Sequence, residues 1–406
     1  MTTCLVCHSA AVDAFLDLNQ TALANKFLRP EETNATEAAY PLRVGFCQDC
    51  NHVQLMERVP PQAMFDDYLY ISSMSDTLVA HLQGLAETVS SRFALTDDDL
   101  VVDVGCNDGT LLKGFQSHGA TTLGIEPAVN LAAMSREAGV DVVNAYFGAE
   151  TAEAVRAAHG PARVISLTNV FPHLPFLDDF MTGVQTLLAE DGVLVLEAHY
   201  LQDLLAHRAF DTVYHEHVSY WALRPMMRLF ERFDMEVVDV ARLPIHHGQI
   251  RVFAQRKGIG TPTAAVPSLV AEEHAAGLDS FETFAQFGAG VLGLKRDLWD
   301  LLNKLAADGQ KVAAYGAPAK GSTLLSFFEI GPETVPYIAD KSPLKQGRVT
   351  PGTHIPVVSP SHIQEDKPDY MLLLAWNFAD EIMTQQADYR AAGGRFIIPV
   401  PEVRVV

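Results

Sequence analysis

Val101-Val102-Asp103-Val104-Gly105-Cys106-Asn107-Asp108-Gly109-Thr110-Leu111-Leu112 decides how this chain of 406 residues is read. The apolar run through Val104 predicts a short buried strand. Gly105 and Gly109 then supply a turn in which backbone can approach a ligand without side-chain interference, and Thr110 onward opens a helix. Outward from this turn, 121–125, 140–144, 163–167 and 192–197 read as further buried strands separated by helical stretches. That alternation is the pattern of a doubly wound parallel sheet in an α/β fold. The segments 235–242 and 249–255 follow with only a short link, which predicts an antiparallel pair closing one edge. The G-x-G-x-x-G fingerprint of a nicotinamide dinucleotide domain is absent from the turn.

Length and 48% hydrophobic content predict substantial cores, in more than one domain because the chain exceeds the size at which one core keeps growing. A formal charge of −21, with 29 Lys and Arg, argues against nucleic acid and anionic membrane as partners, since neutralising phosphates needs clustered cations. The start Met1-Thr2-Thr3-Cys4 carries neither a basic nor an apolar targeting segment, and runs such as 371–376 are too short to span a bilayer. A cytoplasmic location is therefore expected.

In a reducing compartment, Cys4-x-x-Cys7 and Cys47-x-x-Cys50 read as a metal site rather than as disulfides. Four thiolates suit structural Zn2+, closing its tetrahedral shell and leaving no position for a reactive water. His8 and His52 adjoin the knuckles as bystanders. Three units are expected: a zinc-binding domain over 1–75, the doubly wound domain over 76–260 and a C-terminal α/β domain over 261–406. In the last, Leu294, Leu298, Leu301, Leu302 and Leu305 mark one face of a helix ended by Gly309. Strands are expected over 311–315, 336–339, 371–374 and 395–398, with Gly316 to Thr323 as a turn into a helix.

Tyr214-His215-Glu216-His217 crowds a phenol, two imidazoles and a carboxylate into four positions, expected just after a central strand. Such density is costly in a core and useful beside a reacting atom. A hydrogen beside a ketone is the one a side-chain base can remove, provided the enolate is stabilised. In an extended segment His215 points away from Glu216 and reads as a packing residue.

Asp103-x-Gly105-x-x-x-Gly109 resembles the first motif of S-adenosylmethionine-dependent methyltransferases, with Glu126 placed to accept from ribose hydroxyls. The whole chain resembles the sugar C-methyltransferases of the class I superfamily. The likeness rests on the paired C-x-x-C, Tyr68-x-Tyr70-x-Ser72-Ser73, the Gly105 to Leu112 turn, Asn169 to His173, Phe210 to His217, Tyr315 to Gly321, Lys345-Gln346-Gly347 with Pro351-Gly352-Thr353, and Leu374-Ala375-Trp376-Asn377. It implies a small N-terminal zinc-binding domain, a central Rossmann-like methyltransferase sheet and a second Rossmann-like C-terminal domain binding a sugar nucleotide. The implied reaction is methylation at C3 of a nucleotide-linked 4-keto-6-deoxyhexose.

By this resemblance His217 is the base, with Glu216, Tyr214, His173 and Tyr68 beside it. Tyr70, Asp103, Gly105, Asn107, Gly109, Glu126 and Asn169 bind S-adenosyl-L-methionine. Lys320 meets the diphosphate, and Arg251, Lys345 and Asn377 assist in binding the nucleotide-linked keto-deoxysugar. A monomer is favoured. Two departures stand out: His246-His247-Gly248-Gln249-Ile250-Arg251, where the family commonly has His-Gly-Gly-Ser, and Ser342 in Asp340-Lys341-Ser342-Pro343, where asparagine is common. A sugar O- or N-methyltransferase and a non-catalytic nucleotide-sugar-binding scaffold are the alternatives.

Overall fold

The computed structural model describes residues 2–33, 36–65, 68, 70–245 and 248–406. His246 and His247 of the departing motif, and Asp66, Asp67 and Leu69 beside Tyr68, lie outside the described residues. The chain opens with three antiparallel strands, β1 (Val12–Ala22), β2 (Ala39–Cys47) and β3 (Val53–Leu55). A short helix α1 (Gln62–Phe65) follows, and then α2 (Asp76–Arg92), whose first turn is capped by Ser75 accepting from the Leu78 amide at 3.3 Å.

The central unit runs β4 (Leu100–Val104), α3 (Thr110–Ser117), β5 (Thr121–Ile125), α4 (Val129–Glu137), β6 (Val142–Val143), α5 (Ala149–His159), β7 (Ala162–Thr168), α6 (Leu177–Leu187) and β8 (Leu188–His199). After α7 (Leu201–Ala206) and the two-residue β9 (Ser219–Tyr220) come α8 (Leu223–Glu231), β10 (Met235–Leu243) and β11 (Gln249–Arg256). The sheet order is β10-β11-β8-β7-β4-β5-β6. Five strands are parallel, and β11 and β10 close one edge antiparallel, as expected from sequence. Every residue of β4 is buried, which is why it reads as a continuous apolar run rather than an alternation.

Helices α9 (Ala265–Ala275) and α10 (Phe281–Ala307) precede a second sheet. That sheet is β14-β13-β12-β15-β16-β17, built from β12 (Val312–Tyr315), β13 (Ile338–Ala339), β14 (Val357–Val358), β15 (Tyr370–Leu373), β16 (Arg395–Ile398) and β17 (Arg404–Val405), with α11 (Ala319–Phe328) following β12. All its pairings are parallel except β17 on β16.

Helices α9 and α10 fall after residue 260, yet they pack on the earlier units. Phe284 of α10 meets Phe15 and Phe46 of the N-terminal sheet at ring separations of 5.2 and 4.8 Å. Gly288 lets the helix approach so closely that a Cβ there would lie 2.4 Å from the Phe15 carbonyl oxygen. Glu273 of α9 is fully buried and takes the first amides of α8, accepting from Leu223 at 2.6 Å and Arg224 at 3.2 Å, and also from the Tyr200 hydroxyl at 3.1 Å. It satisfies donors that α8 itself leaves open.

The four knuckle cysteines converge. Cys4 and Cys50 sulfurs are 3.5 Å apart, Cys7 and Cys47 are 3.6 Å apart, and all four lie within 4.8 Å of one another. A zinc ion with bonds of about 2.3 Å to each sulfur has tetrahedral edges of about 3.8 Å, close to the 3.5 and 3.6 Å pair separations, so the four thiolates are gathered as one zinc ion needs. Arg232 ties the knuckle to the central unit, donating to the Val6 carbonyl at 2.5 Å, to Asp178 at 2.9 Å and to His8 at 2.7 Å.

The sequence places the Tyr214 segment directly after a central strand, and the structure corrects this. Strand β8 ends at His199, α7 and a 3-10 turn (Phe210–Thr212) intervene, and 214–217 is itself a turn closed by the His217 amide on the Tyr214 carbonyl at 2.9 Å. The strands expected over 140–144 and 336–339 shrink to two residues each.

Two outcomes follow from this packing. Glu273→Ala leaves two amides and a phenol without their buried acceptor and should lower unfolding free energy by about 2–4 kcal/mol, read from denaturant unfolding against the wild type. Cys47→Ser should release zinc and lower the thermal midpoint, while an elemental analysis finding no zinc in native protein purified without chelator would refute the metal site.

Candidate functional site: a buried histidine cluster beside a glycine turn

At the C-terminal end of β4 the chain passes through left-handed conformations at Gly105 (φ 70°), Asn107 (φ 52°) and Gly109 (φ 79°) before entering α3. The sequence reading assigned the glycines to ligand approach. The structure gives them a packing role: a Cβ on Gly105 would lie 2.5 Å from Val170 Cγ2, and one on Gly109 2.5 Å from Ser135 Oγ. Asp103 is buried at the end of β4, with Ser166 donating to it at 2.7 Å, and burial raises its carboxyl to about 7.

Glu126, at the tip of β5, accepts from the amides of Asn107 and Ala128, each at 2.9 Å. The carboxylate braces the turn, and each oxygen keeps a further lone pair able to accept. Tyr68 and residues 70–73 meet this end of the sheet. Asn130 and the Tyr68 backbone bond reciprocally, Asn107 donates to the Tyr70 carbonyl at 3.0 Å, and the Ser72 and Ser73 amides donate to Asn107 and Asp108, each at 3.0 Å. Asn169, in a left-handed conformation at the end of β7, accepts from Gln249 at 2.7 Å.

The second group lies next to this turn. His217 is 6% exposed and its Nδ1 is 2.7 Å from the Thr212 carbonyl oxygen. A carbonyl only accepts, so Nδ1 carries the hydrogen and Nε2 the lone pair. Around this ring are Tyr214 at a centroid separation of 4.1 Å, and His173 and His199, each at 5.2 Å. Phe65 stacks on the far side of His173 at 5.2 Å. Burial lowers His217 and His173 to about 3, so both are neutral across the physiological range.

On the other side of Tyr214, Glu216 accepts from Tyr68 OH at 3.0 Å and from Asn25 at 2.7 Å. Burial raises Glu216 to about 7 against the opposing pull of Asn25, Tyr68 and Lys345. Burial also pushes the Tyr68 and Tyr214 phenols well up, so both remain O–H donors. His215 turns away, placing Nε2 3.2 Å from the Pro41 carbonyl oxygen in β2.

The C-terminal unit brings Lys345, whose ammonium donates to the Ala317 carbonyl at 2.7 Å and sits 5.0 Å over the Phe27 ring. Lys320 lies over Trp376 at 4.1 Å with Asn377 next in sequence. Arg251 stands apart from these: its Nε is 2.5 Å from the buried Glu197 of β8, which His81 meets at 2.7 Å, so its charge is neutralised within the central sheet. Asn25, His199, Asp211 and the Glu197 carboxylate were missed by sequence reasoning. Asp211 and Trp376 lay inside segments already singled out, whereas Asn25 carried no signal.

Known proteins give the same picture. Three family models match in order: a zinc binding domain over residues 4–65, a methyltransferase domain over 79–240 and a C-methyltransferase C-terminal domain over 244–401. The chain is 37% identical over 404 residues to the C-methyltransferase NovU of Streptomyces niveus, covering 98% of this chain and 96% of that one. Among solved structures it is similar to the magnesium protoporphyrin IX methyltransferase of Synechocystis (13% identity, 47% of this chain and 86% of that one, TM-score 0.33) and to an S-adenosylmethionine-dependent methyltransferase of Anabaena variabilis (13%, 50% and 100%, TM-score 0.34). With its thiolate cluster, glycine turn and C-terminal α/β unit matched along nearly its whole length, the chain belongs to the family of S-adenosylmethionine-dependent C-methyltransferases that carry a zinc-binding domain.

Proposed function

We propose that this enzyme methylates C3 of a nucleotide-linked 4-keto-6-deoxyhexose through an enolate, with His217 as the base. The observation that carries the proposal is the bond between His217 Nδ1 and the Thr212 carbonyl, which fixes the tautomer and leaves Nε2 as the basic atom inside a closed cluster. The proton leaves C3 for Nε2, and the electron pair of the C–H bond moves toward the C4 oxygen. A neutral imidazole held near 3 is a weak base. The step therefore depends on donors to the developing oxyanion; Tyr214 is the phenol with a proton to offer it, since Tyr68 gives its own to Glu216.

S-adenosylmethionine supplies an electrophilic methyl group, for which the turn at Gly105 to Gly109, Glu126 and the Tyr70 segment form the binding region. The protein's part is then to hold the sugar so that the enolate carbon faces that methyl and to exclude water while the enolate exists. C3 and C5 both flank the C4 carbonyl, and locating the new methyl in the product by NMR tests the C3 assignment directly.

Two measurements test the base and its surroundings. Wild type should exchange the C3 hydrogen with deuterated solvent when the enolate forms reversibly. His217→Ala should lose both exchange and methyl transfer by roughly 10²–10⁴-fold while keeping its affinity for S-adenosylmethionine. Near-normal turnover would sink the base assignment, and a product methylated on oxygen or nitrogen would sink the reaction class. Because an ionised Glu216 puts negative charge beside the developing oxyanion, kcat/KM should fall as pH rises through about 7, the value to which burial raises this carboxyl. Glu216→Gln should flatten that limb; a limb that survives the substitution belongs to another group.

A further inference from the structure

Three buried polar atoms near the junction of the central and C-terminal units have no hydrogen-bond partner among the described residues. Asp211 is fully buried: one oxygen accepts from Trp376 Nε1 at 2.6 Å, and the other, Oδ1, has no hydrogen-bond partner. Lys320 Nζ, 4.1 Å over the same Trp376 ring and attracted by Asp211, has none either, and no ion pair within 4.0 Å closes between the two. Asn377 Oδ1, on the residue after Trp376, is the third. An ammonium and a carboxylate free to approach each other would pair, since leaving either buried and unpaired costs several kcal/mol. The structure instead holds them apart, the ammonium over the face of the Trp376 indole and the carboxylate at its Nε1–H.

We propose that Asp211, Lys320 and Asn377 form a slot for a hydroxyl group of the substrate, and not a diphosphate site. A hydroxyl accepting from the ammonium at about 2.9 Å and donating to the carboxylate at about 2.7 Å bridges a separation of more than 4 Å. A phosphate oxygen has no proton to give, so it would meet Asp211 Oδ1 and Asn377 Oδ1 acceptor to acceptor. Two acceptors and one donor suit a polyol, and the sugar nucleotide offers hydroxyls on both its hexose and its nucleoside sugar. This assignment rests on the sugar-nucleotide reading above. It gives Asp211 a substrate contact and moves Lys320 from phosphate to hydroxyl recognition.

The two readings of Lys320 differ in sign when Asp211 loses its charge. Asp211→Asn keeps an oxygen for Trp376 and turns an amide donor toward the slot, so a hydroxyl held there loses its acceptor, whereas a phosphate would lose a repulsive neighbour. Calorimetric titration should use wild type, Asp211→Asn and Lys320→Met against thymidine diphosphate-linked 4-keto-6-deoxyglucose, free thymidine diphosphate and inorganic pyrophosphate. We expect Asp211→Asn to weaken the sugar nucleotide at least tenfold, and to raise KM far more than it lowers kcat. Pyrophosphate and S-adenosylmethionine affinities should stay within twofold in both variants.

A loss confined to the sugar nucleotide assigns the hydroxyl to the hexose; a loss shared with free thymidine diphosphate assigns it to the nucleoside sugar. Unchanged or tighter sugar-nucleotide binding by Asp211→Asn, or loss of pyrophosphate binding in Lys320→Met, overturns the slot. If wild type methylates the probe while Asp211→Asn binds it unweakened, only the slot falls. If wild type neither binds nor methylates it, the parent reading falls first.

Discussion

The pairing of two residues, Ser219 and Tyr220, with Gln54 and Val53 of β3 is the constraint on which the site depends. It draws the chain that has just left the central sheet across onto the N-terminal sheet, so the turn bearing Tyr214, Glu216 and His217 is stretched between two units. Each end of that turn is then fixed by a different neighbour. The Leu55 amide holds the Val218 carbonyl at 2.9 Å, and Trp376 of the C-terminal unit holds Asp211 at 2.6 Å. Asn25 and Pro41 of the N-terminal unit take Glu216 and His215. The turn bearing Tyr214, Glu216 and His217 is held by contacts from all three units.

Desolvation sets the protonation states in this turn. The same burial that lowers His173 and His217 to about 3 raises Glu216 to about 7 and holds Tyr68 and Tyr214 in their neutral forms. Every group is pushed toward its uncharged state because a charge there has little water to stabilise it. A cluster of neutral donors and one neutral imidazole is poor at holding ions in the resting protein. It becomes effective when an oxyanion develops within it, since each donor then acts in a medium that screens little.

The sheet was legible because its strands are buried on both faces and so announce themselves as apolar runs; the antiparallel edge was legible from the short link before Gln249. Zinc ligation was readable because a C-x-x-C pair is local in sequence. The position of the Tyr214 turn was not, because its anchor is a two-residue strand whose partner lies more than 160 positions earlier, a pairing without periodicity. Likewise Asn25 meets Glu216 across 191 residues, and no spacing rule connects them. Arg251, a conspicuous cation in sequence, has its Nε bonded to the buried Glu197 of β8, a pairing that no local spacing connects. The glycines of the turn were located correctly and explained differently, by Val170 and Ser135 standing where a Cβ would go.

Under the proposed function, the charge balance bears on how a negatively charged sugar nucleotide would be recognised. A chain at −21 offers such a ligand no long-range attraction, and beyond about 8 Å at physiological ionic strength little of any field survives. Affinity must therefore come from contact. The cations nearest the base-bearing turn, Lys345 and Lys320, are both lowered from the usual lysine range by burial. Neither acts as a surface lure, because one is engaged with the Ala317 carbonyl and the other lies over Trp376. Recognition by buried, directional partners favours a ligand whose hydroxyls and keto oxygen match fixed donors and acceptors over one that is merely anionic. That is the selectivity the proposed enolate chemistry calls for.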